Sequence, residues 1–147
     1  MNILESFGNS GYVLALCFAA SGSALGTGAA GMAVLGAWKK CFLQNKTVPF
    51  ILIAFVGAPL SQTIYGMILM NAIKGAPVTV DPLAKFAIGL MGGLAMGVSA
   101  WQQGKAGAMA SDALAEAKKG FGNYIMILGI IETVALFVMV FLMTTLR

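Results

Sequence analysis

Histidine is absent from the sequence and charge is scarce, with nine basic and five acidic side chains among 147 residues. Cysteine occurs only twice, which is too few for a disulfide scaffold. With so few charges, the chain could not cover the surface of a water-soluble enzyme with polar groups. The net charge of +4 is spread thinly, so the sequence offers no basic patch to nucleic acid. These absences exclude soluble enzymes, disulfide-rich domains and nucleic-acid-binding proteins.

Apolar residues take the place of the missing charge. Hydrophobic residues make up 59% of the chain, and the 19 glycines are numerous as well. Four apolar stretches each exceed the roughly 20 residues that a membrane-spanning helix needs. They run over residues 11–38, 48–73, 83–110 and 121–146. The sequence therefore predicts an all-α integral membrane protein with four transmembrane helices.

Two segments resemble each other at an offset of 76 residues. Residues 23–31 read SALGTGAAG and residues 99–107 read SAWQQGKAG, with five of nine positions identical. The first and third stretches are rich in small residues, whereas the second and fourth are bulky. The pattern predicts one helical hairpin used twice, over residues 1–75 and residues 76–147, with the binding site in the second.

Glycine spacing predicts close helix packing in the first and third stretches. The GxxxG motifs at 22–26 and 93–97 allow two helix backbones to approach closely in lipid. The same faces are expected to continue through Gly28, Gly31, Gly104 and Gly107. One interpretation is tight packing inside a single four-helix bundle. The other, which the high glycine content favours, is a ring of copies whose first and third helices form a crowded inner wall.

Lysine placement predicts the orientation in the membrane. The expected first and third loops, residues 39–47 and 111–120, carry more lysine than the opposite side of the membrane does. Positive residues favour the cytoplasmic side, which places these two loops in the cytoplasm and both termini outside. The lysines of the two loops are Lys39, Lys40, Lys46, Lys118 and Lys119.

Glu132 is the one charged residue near the middle of an apolar stretch. A carboxylate at that depth costs about 3 kcal/mol even on lenient scales, unless it is protonated, paired or bound to a cation. Lys105 lies toward the cytoplasmic end of the third stretch and should extend its amine to the surface. Glu132 therefore needs a proton, a cation or a partner on another chain, with a packing role as the plainer alternative.

Polar residues of the second stretch are candidate partners for this acid. Ala58, Ser61, Gln62 and Tyr65 follow the spacing i, i+3, i+4, i+7 and so share one helix face. Pro59 lacks a backbone N–H, which bends the helix and loosens carbonyls of the preceding turn. This face therefore offers an amide, two hydroxyls and a backbone carbonyl at one depth.

Two adjacent amides, Gln102 and Gln103, lie in the third stretch. Alone, either would be read as an interhelical hydrogen bond worth about 1 kcal/mol. Together with Glu132 they favour a binding site. Oxygen ligands without histidine or cysteine suit a hard cation, and a single carboxylate suits a monovalent ion better than Ca²⁺.

Three short motifs carry a family resemblance. Residues 59–66 read PLSQTIYG, similar to PGTQGLYG; residues 103–105 read QGK; residues 131–133 read IET, similar to VET. With the four stretches and the duplication, the chain resembles over nearly its whole length the proteolipid rotor subunit of V-type ATPases, known as the K or c subunit, in its bacterial and archaeal form.

The resemblance implies a ligand set. In sodium-transporting members of that family, a carboxylate, a hydroxyl, two amides and a backbone carbonyl hold the ion, and a tyrosine hydrogen-bonds the carboxylate. Ser61 stands where the family has threonine, and Leu60 where it has glycine. Every ligand position keeps an oxygen, so the resemblance implies Na⁺, with H⁺ as the alternative. The corresponding residues here are Glu132, Ser61, Gln62, Gln103, the carbonyl of Ala58, and Tyr65.

The resemblance also implies partners. Identical copies would form a ring in the lipid bilayer of a bacterial cell, touching a stator subunit that supplies an arginine and a central-stalk subunit. The chain has no GxxxxGK[ST] loop for ATP phosphates, so it is expected not to be an enzyme on its own. More distant alternatives are a small multidrug or cation antiporter and a purely structural four-helix membrane protein.

Overall fold

The computed structural model describes residues 3–147. The first two residues of the predicted 1–75 hairpin, which form the expected external N-terminus, lie outside the described residues. Four helical segments are long and apolar enough to cross a membrane, and no strand occurs within residues 3–147. The all-helical membrane fold is confirmed. The first span is Ile3–Leu43, the second Phe50–Gly75, the third Pro82–Ala117 and the fourth Phe121–Thr144.

The third span begins and ends at clear local signals. The Asp81 carboxylate accepts hydrogen bonds from the backbone N–H groups of Leu83 and Ala84, at 2.7 and 3.2 Å. This N-cap satisfies donors that the first helical turn leaves open. The helix ends at Ala117 and is followed by Lys118, whose φ of 56° is left-handed. The expected loop over 111–120 was wrong in its first half, because residues 111–117 are rich in alanine and other strong helix formers.

The second span is not one continuous α-helix. Short 3₁₀ turns at Phe50–Leu52 and Ala58–Leu60 flank the α-helix Ile53–Gly57, and a longer α-helix, Ser61–Gly75, follows. The second turn contains Pro59, which cannot donate a backbone hydrogen bond. The predicted perturbation by proline is confirmed, and it falls directly before the polar face of this span.

The first and third spans lie side by side and run parallel. A Cβ at Gly22 would touch the backbone of Gly97, and one at Gly104 would touch the backbone of Gly26. Such contact is possible only because the glycines have no side chain. The predicted close approach is confirmed at both motifs. The prediction was wrong for Gly28 and Gly31. Nothing lies within 4 Å of the position that a Gly28 Cβ would take, and a Gly31 Cβ would meet a side-chain atom of Val56 at 3.8 Å instead of the third span.

Two apolar clusters form the core, one toward each end of the bundle. One contains Leu69, Met96 and Met139, and the other contains Leu52, Phe55 and Leu128. The fourth span contributes few buried side chains and leaves large apolar ones exposed, as a lipid-facing helix does. The layer between the two clusters holds the polar residues described next.

Candidate ion-binding site

Glu132 accepts hydrogen bonds from two other spans. The Tyr65 hydroxyl donates to its Oε1 at 2.7 Å, and the Gln103 amide donates to its Oε2 at 3.2 Å. Both carboxylate oxygens are thus held, which fixes the side chain between the second, third and fourth spans. A carboxylate that keeps polar partners within the membrane avoids part of its desolvation cost.

The two glutamines predicted from sequence are joined to each other. Gln62 Nε2 donates to Gln103 Oε1 at 2.8 Å, and Gln103 Nε2 also donates to the Leu128 carbonyl at 3.0 Å. Both glutamine side chains are fully buried. Buried amides with this many partners hold a fixed orientation, so the two carbonyl oxygens are presented at defined positions.

Ser61 connects the proline turn to these amides. Its hydroxyl lies 3.1 Å from the Ala58 carbonyl and 3.2 Å from Gln62 Oε1, within hydrogen-bond distance of both. The Ala58 carbonyl belongs to the 3₁₀ turn Ala58–Leu60, and a serine hydroxyl readily bonds a carbonyl three residues earlier on a helix. The structure therefore brings the predicted site residues together in one network around Glu132.

Burial differs between the two ends of this network. Gln62 and Gln103 are shielded from the surroundings, whereas Glu132 and Tyr65 are partly exposed beside the fourth span. The carboxylate can therefore be reached from the flank of the bundle while the amides hold it from within. Such a site can bind a proton or a small cation and release it toward the exposed flank of the bundle.

Basic side chains lie away from the site. Lys105 Nζ lies 4.0 Å from the centre of the Trp101 ring. The one salt bridge formed within residues 3–147 joins Lys40 and Glu116 at 2.8 Å, on exposed side chains. The expectation that Lys105 does not pair with Glu132 holds in the structure. No lysine or arginine of the described chain neutralises Glu132.

Gln102 was wrongly grouped with the site. Its side chain is exposed on the side of the third span that faces away from the network, whereas Gln103 is buried in it. Adjacent residues of a helix point about 100° apart, so only one of the two could face Glu132. The polarity of the two residues did not distinguish them, whereas the resemblance at residues 103–105 selected Gln103.

Sequence reasoning missed Ser99. Its buried hydroxyl donates to the Ile131 carbonyl at 2.9 Å, next to Glu132, and so joins the third and fourth spans. A signal was present, because Ser99 is the repeat partner of Ser23. Ser23 is also buried, yet within residues 3–147 its hydroxyl has no hydrogen-bond partner.

The two serines should respond differently to alanine. We expect Ser99→Ala to destabilise the protein by about 1 kcal/mol, because an interhelical hydrogen bond is lost. Ser23→Ala should be neutral or stabilising, because it removes a buried hydroxyl without a partner. Denaturation of both variants in mixed detergent micelles measures the difference. Equal destabilisation would contradict the assigned roles.

The fold and site together define a membrane protein with one intramembrane carboxylate held by amides and hydroxyls from neighbouring helices. Residues 86–144 match the family model of the ATP synthase C subunit, which is the membrane c subunit of F-, V- and A-type ATP synthases. The matched segment includes Gln103 and Glu132. No curated protein sequence matches the chain. The match covers less than half of the chain and makes the third and fourth spans similar to that family.

Proposed function

We propose that the chain is the membrane rotor subunit of a V-type rotary ATPase and that it carries Na⁺. The observation that carries the proposal is the network that joins Ser61, Gln62, Gln103 and Tyr65 to Glu132. The c-subunit family match covers the half of this network that lies on the third and fourth spans. A packing role for Glu132 would not require amides and hydroxyls from two neighbouring spans.

The chemistry of the donors favours a monovalent ion. Within residues 3–147, no three His, Cys, Asp or Glu side chains group together. The site therefore combines one negative charge with neutral oxygens from Ser61, Gln62, Gln103 and the Ala58 carbonyl. Na⁺ bound to one carboxylate gives a neutral site, whereas Ca²⁺ would leave an uncompensated positive charge in the membrane. A small rotation of the two amides would turn their oxygens toward the ion.

Transport would proceed by rotation. Identical copies form a ring in the bilayer, and each copy carries one Glu132. Neutralised by its ion, the partly exposed carboxylate can face lipid. A stator subunit with an arginine would displace the ion, and a central-stalk subunit would couple the ring to soluble subunits that hydrolyse ATP. The lysine-bearing loops would face the cytoplasm of a bacterial cell and the termini the outside, as the positive-inside bias predicts.

Carbodiimide labelling tests the ion. The reagent attacks a protonated buried carboxyl, and bound Na⁺ requires the ionised form. We expect Glu132 of the purified protein to be labelled at low Na⁺ and protected as Na⁺ rises at constant pH, because the ion displaces the proton. Mass spectrometry of the peptide that contains Glu132 measures the modified fraction, and K⁺ at equal ionic strength is the control.

The alternatives give different results. Protection by raised pH alone, with no effect of Na⁺, would replace Na⁺ by H⁺ and leave the rotor role intact. Protection by organic cations, together with particles too small for a ring, would favour an antiporter. Labelling that is insensitive to pH and to every cation would leave Glu132 a packing residue and overturn the proposal.

A further inference from the structure

The hydroxyl of Ser23 is a buried polar group that the ion site described above does not use. Ser23 is 2% exposed, and its Oγ has no hydrogen-bond partner within residues 3–147. The other two buried serines, Ser99 and Ser111, each donate to a backbone carbonyl. A buried hydroxyl without a partner is costly, so its presence in the first span calls for an explanation.

The first and second spans contact each other at two points, one on each side of Ser23. A Cβ at Gly66 would touch the Cβ of Ala19, and a Cβ at Gly26 would touch the Cβ of Pro59. The later residue of the first span thus meets the earlier residue of the second span. The two spans are therefore antiparallel, and these contacts fix their register.

Ser23 and Gln62 occupy matching positions between the two contacts. Ser23 lies four residues from the first contact and three from the second, and the same holds for Gln62 along its own span. Spacings of three and four residues keep a side chain on one helix face. Both side chains are buried. The unpartnered hydroxyl therefore lies on the face of the first span that meets Gln62.

The Gln62 amide has an orientation in this structure that ion binding would change. Its Nε2 donates to Gln103 Oε1 at 2.8 Å, and its Oε1 lies 3.2 Å from the Ser61 hydroxyl. A cation binds the oxygen of an amide and is repelled by its N–H groups. When Gln62 turns its oxygen toward the ion, Nε2 leaves the Gln103 oxygen and needs a new acceptor. A buried N–H group left without an acceptor would oppose binding.

We propose that Ser23 is a positioning residue of the ion site, whose Oγ accepts a hydrogen bond from Gln62 Nε2 when Gln62 turns its oxygen to the ion. The inference rests on the proposed Na⁺-carrying function and adds the first span to the site. Ser23 does not touch the ion. Its hydroxyl gains a partner only in the ion-loaded arrangement, so ion binding removes the cost of an unpartnered buried group and the affinity for the ion rises.

Protection of Glu132 from carbodiimide by Na⁺ measures this effect in the purified full-length protein. We expect Ser23→Ala to need about five times more Na⁺ for half protection, which corresponds to one neutral hydrogen bond of about 1 kcal/mol. Ser23→Cys has nearly the same shape but a weakly accepting sulfur, so it should also need more Na⁺. Without Na⁺, neither substitution should change the pH dependence of labelling, because Ser23 does not contact the carboxylate.

Ser21→Ala is the matched control on the same span. The Ser21 hydroxyl is exposed and donates to the Cys17 carbonyl at 2.8 Å, so its removal should leave the Na⁺ requirement unchanged. Denaturation without Na⁺ separates positioning from packing, because Ser23→Ala should then be at least as stable as the unaltered protein.

Three results would contradict the inference. If Ser23→Ala and Ser23→Cys need no more Na⁺ than Ser21→Ala, Ser23 does not position Gln62, while Na⁺ binding by the unaltered protein stands. If Ser23→Ala is destabilised equally with and without Na⁺, the hydroxyl has a packing role. If Na⁺ does not protect the unaltered protein, the inference and the proposed Na⁺ specificity both fail.

Discussion

Glu132→Gln is expected to abolish ion transport by the reconstituted ATPase. Glutamine has nearly the same shape and can still accept a hydrogen bond from Tyr65, so the helices should pack as before. It cannot carry the charge that a cation or proton neutralises. Loss of the charged partner of a buried ion costs about 3–5 kcal/mol, which is at least about a hundredfold in affinity. The measurement is ²²Na⁺ uptake into proteoliposomes during ATP hydrolysis.

Glu116→Gln provides the matched control. Glu116 pairs with Lys40 through exposed side chains at the end of the bundle, far from the site. Exposed ion pairs contribute about 0–1 kcal/mol, so this variant should transport at nearly the rate of the unaltered protein. Transport by Glu132→Gln at that rate would show that the acid does not carry the ion.

Glu132 could be found from sequence because charged residues are rare in the middle of a membrane-spanning stretch. A single charge in an apolar stretch stands out whatever the fold, and so does a run of polar residues on one helix face. The family resemblance then selected Gln103 over its neighbour. Helical spacing placed Ser61, Gln62 and Tyr65 on one face, and the structure confirms that they converge.

The roles of Ser99 and Gln102 depend on which side of each span faces its neighbours. The hydrogen bond from Ser99 to the Ile131 carbonyl joins a side chain to a backbone group, and a backbone group leaves no mark in a sequence. The exposed position of Gln102 likewise depends on which flank of the third span meets the first. Glycine motifs predict that two helices approach closely, but they do not fix every residue at the contact.

Gly97→Leu should prevent the first and third spans from packing. A Cβ at Gly97 would contact the carbonyl oxygen of Phe18, which belongs to the backbone and cannot rotate away. Overpacking of a core usually costs about 1–3 kcal/mol, and here two helices would have to separate along their length. We expect loss of folded protein from detergent extracts, measured by size-exclusion chromatography with fluorescence detection.

Two further leucine substitutions locate the cause of that loss. Gly129→Leu adds the same side chain on the fourth span, where nothing lies within 4 Å, and should leave the amount of folded protein unchanged. Gly28→Leu, on the first span, should likewise leave the amount of folded protein unchanged, because nothing lies within 4 Å of the position that its Cβ would take. If Gly97→Leu yields as much folded protein as Gly129→Leu, the close approach of the first and third spans is not needed for the fold.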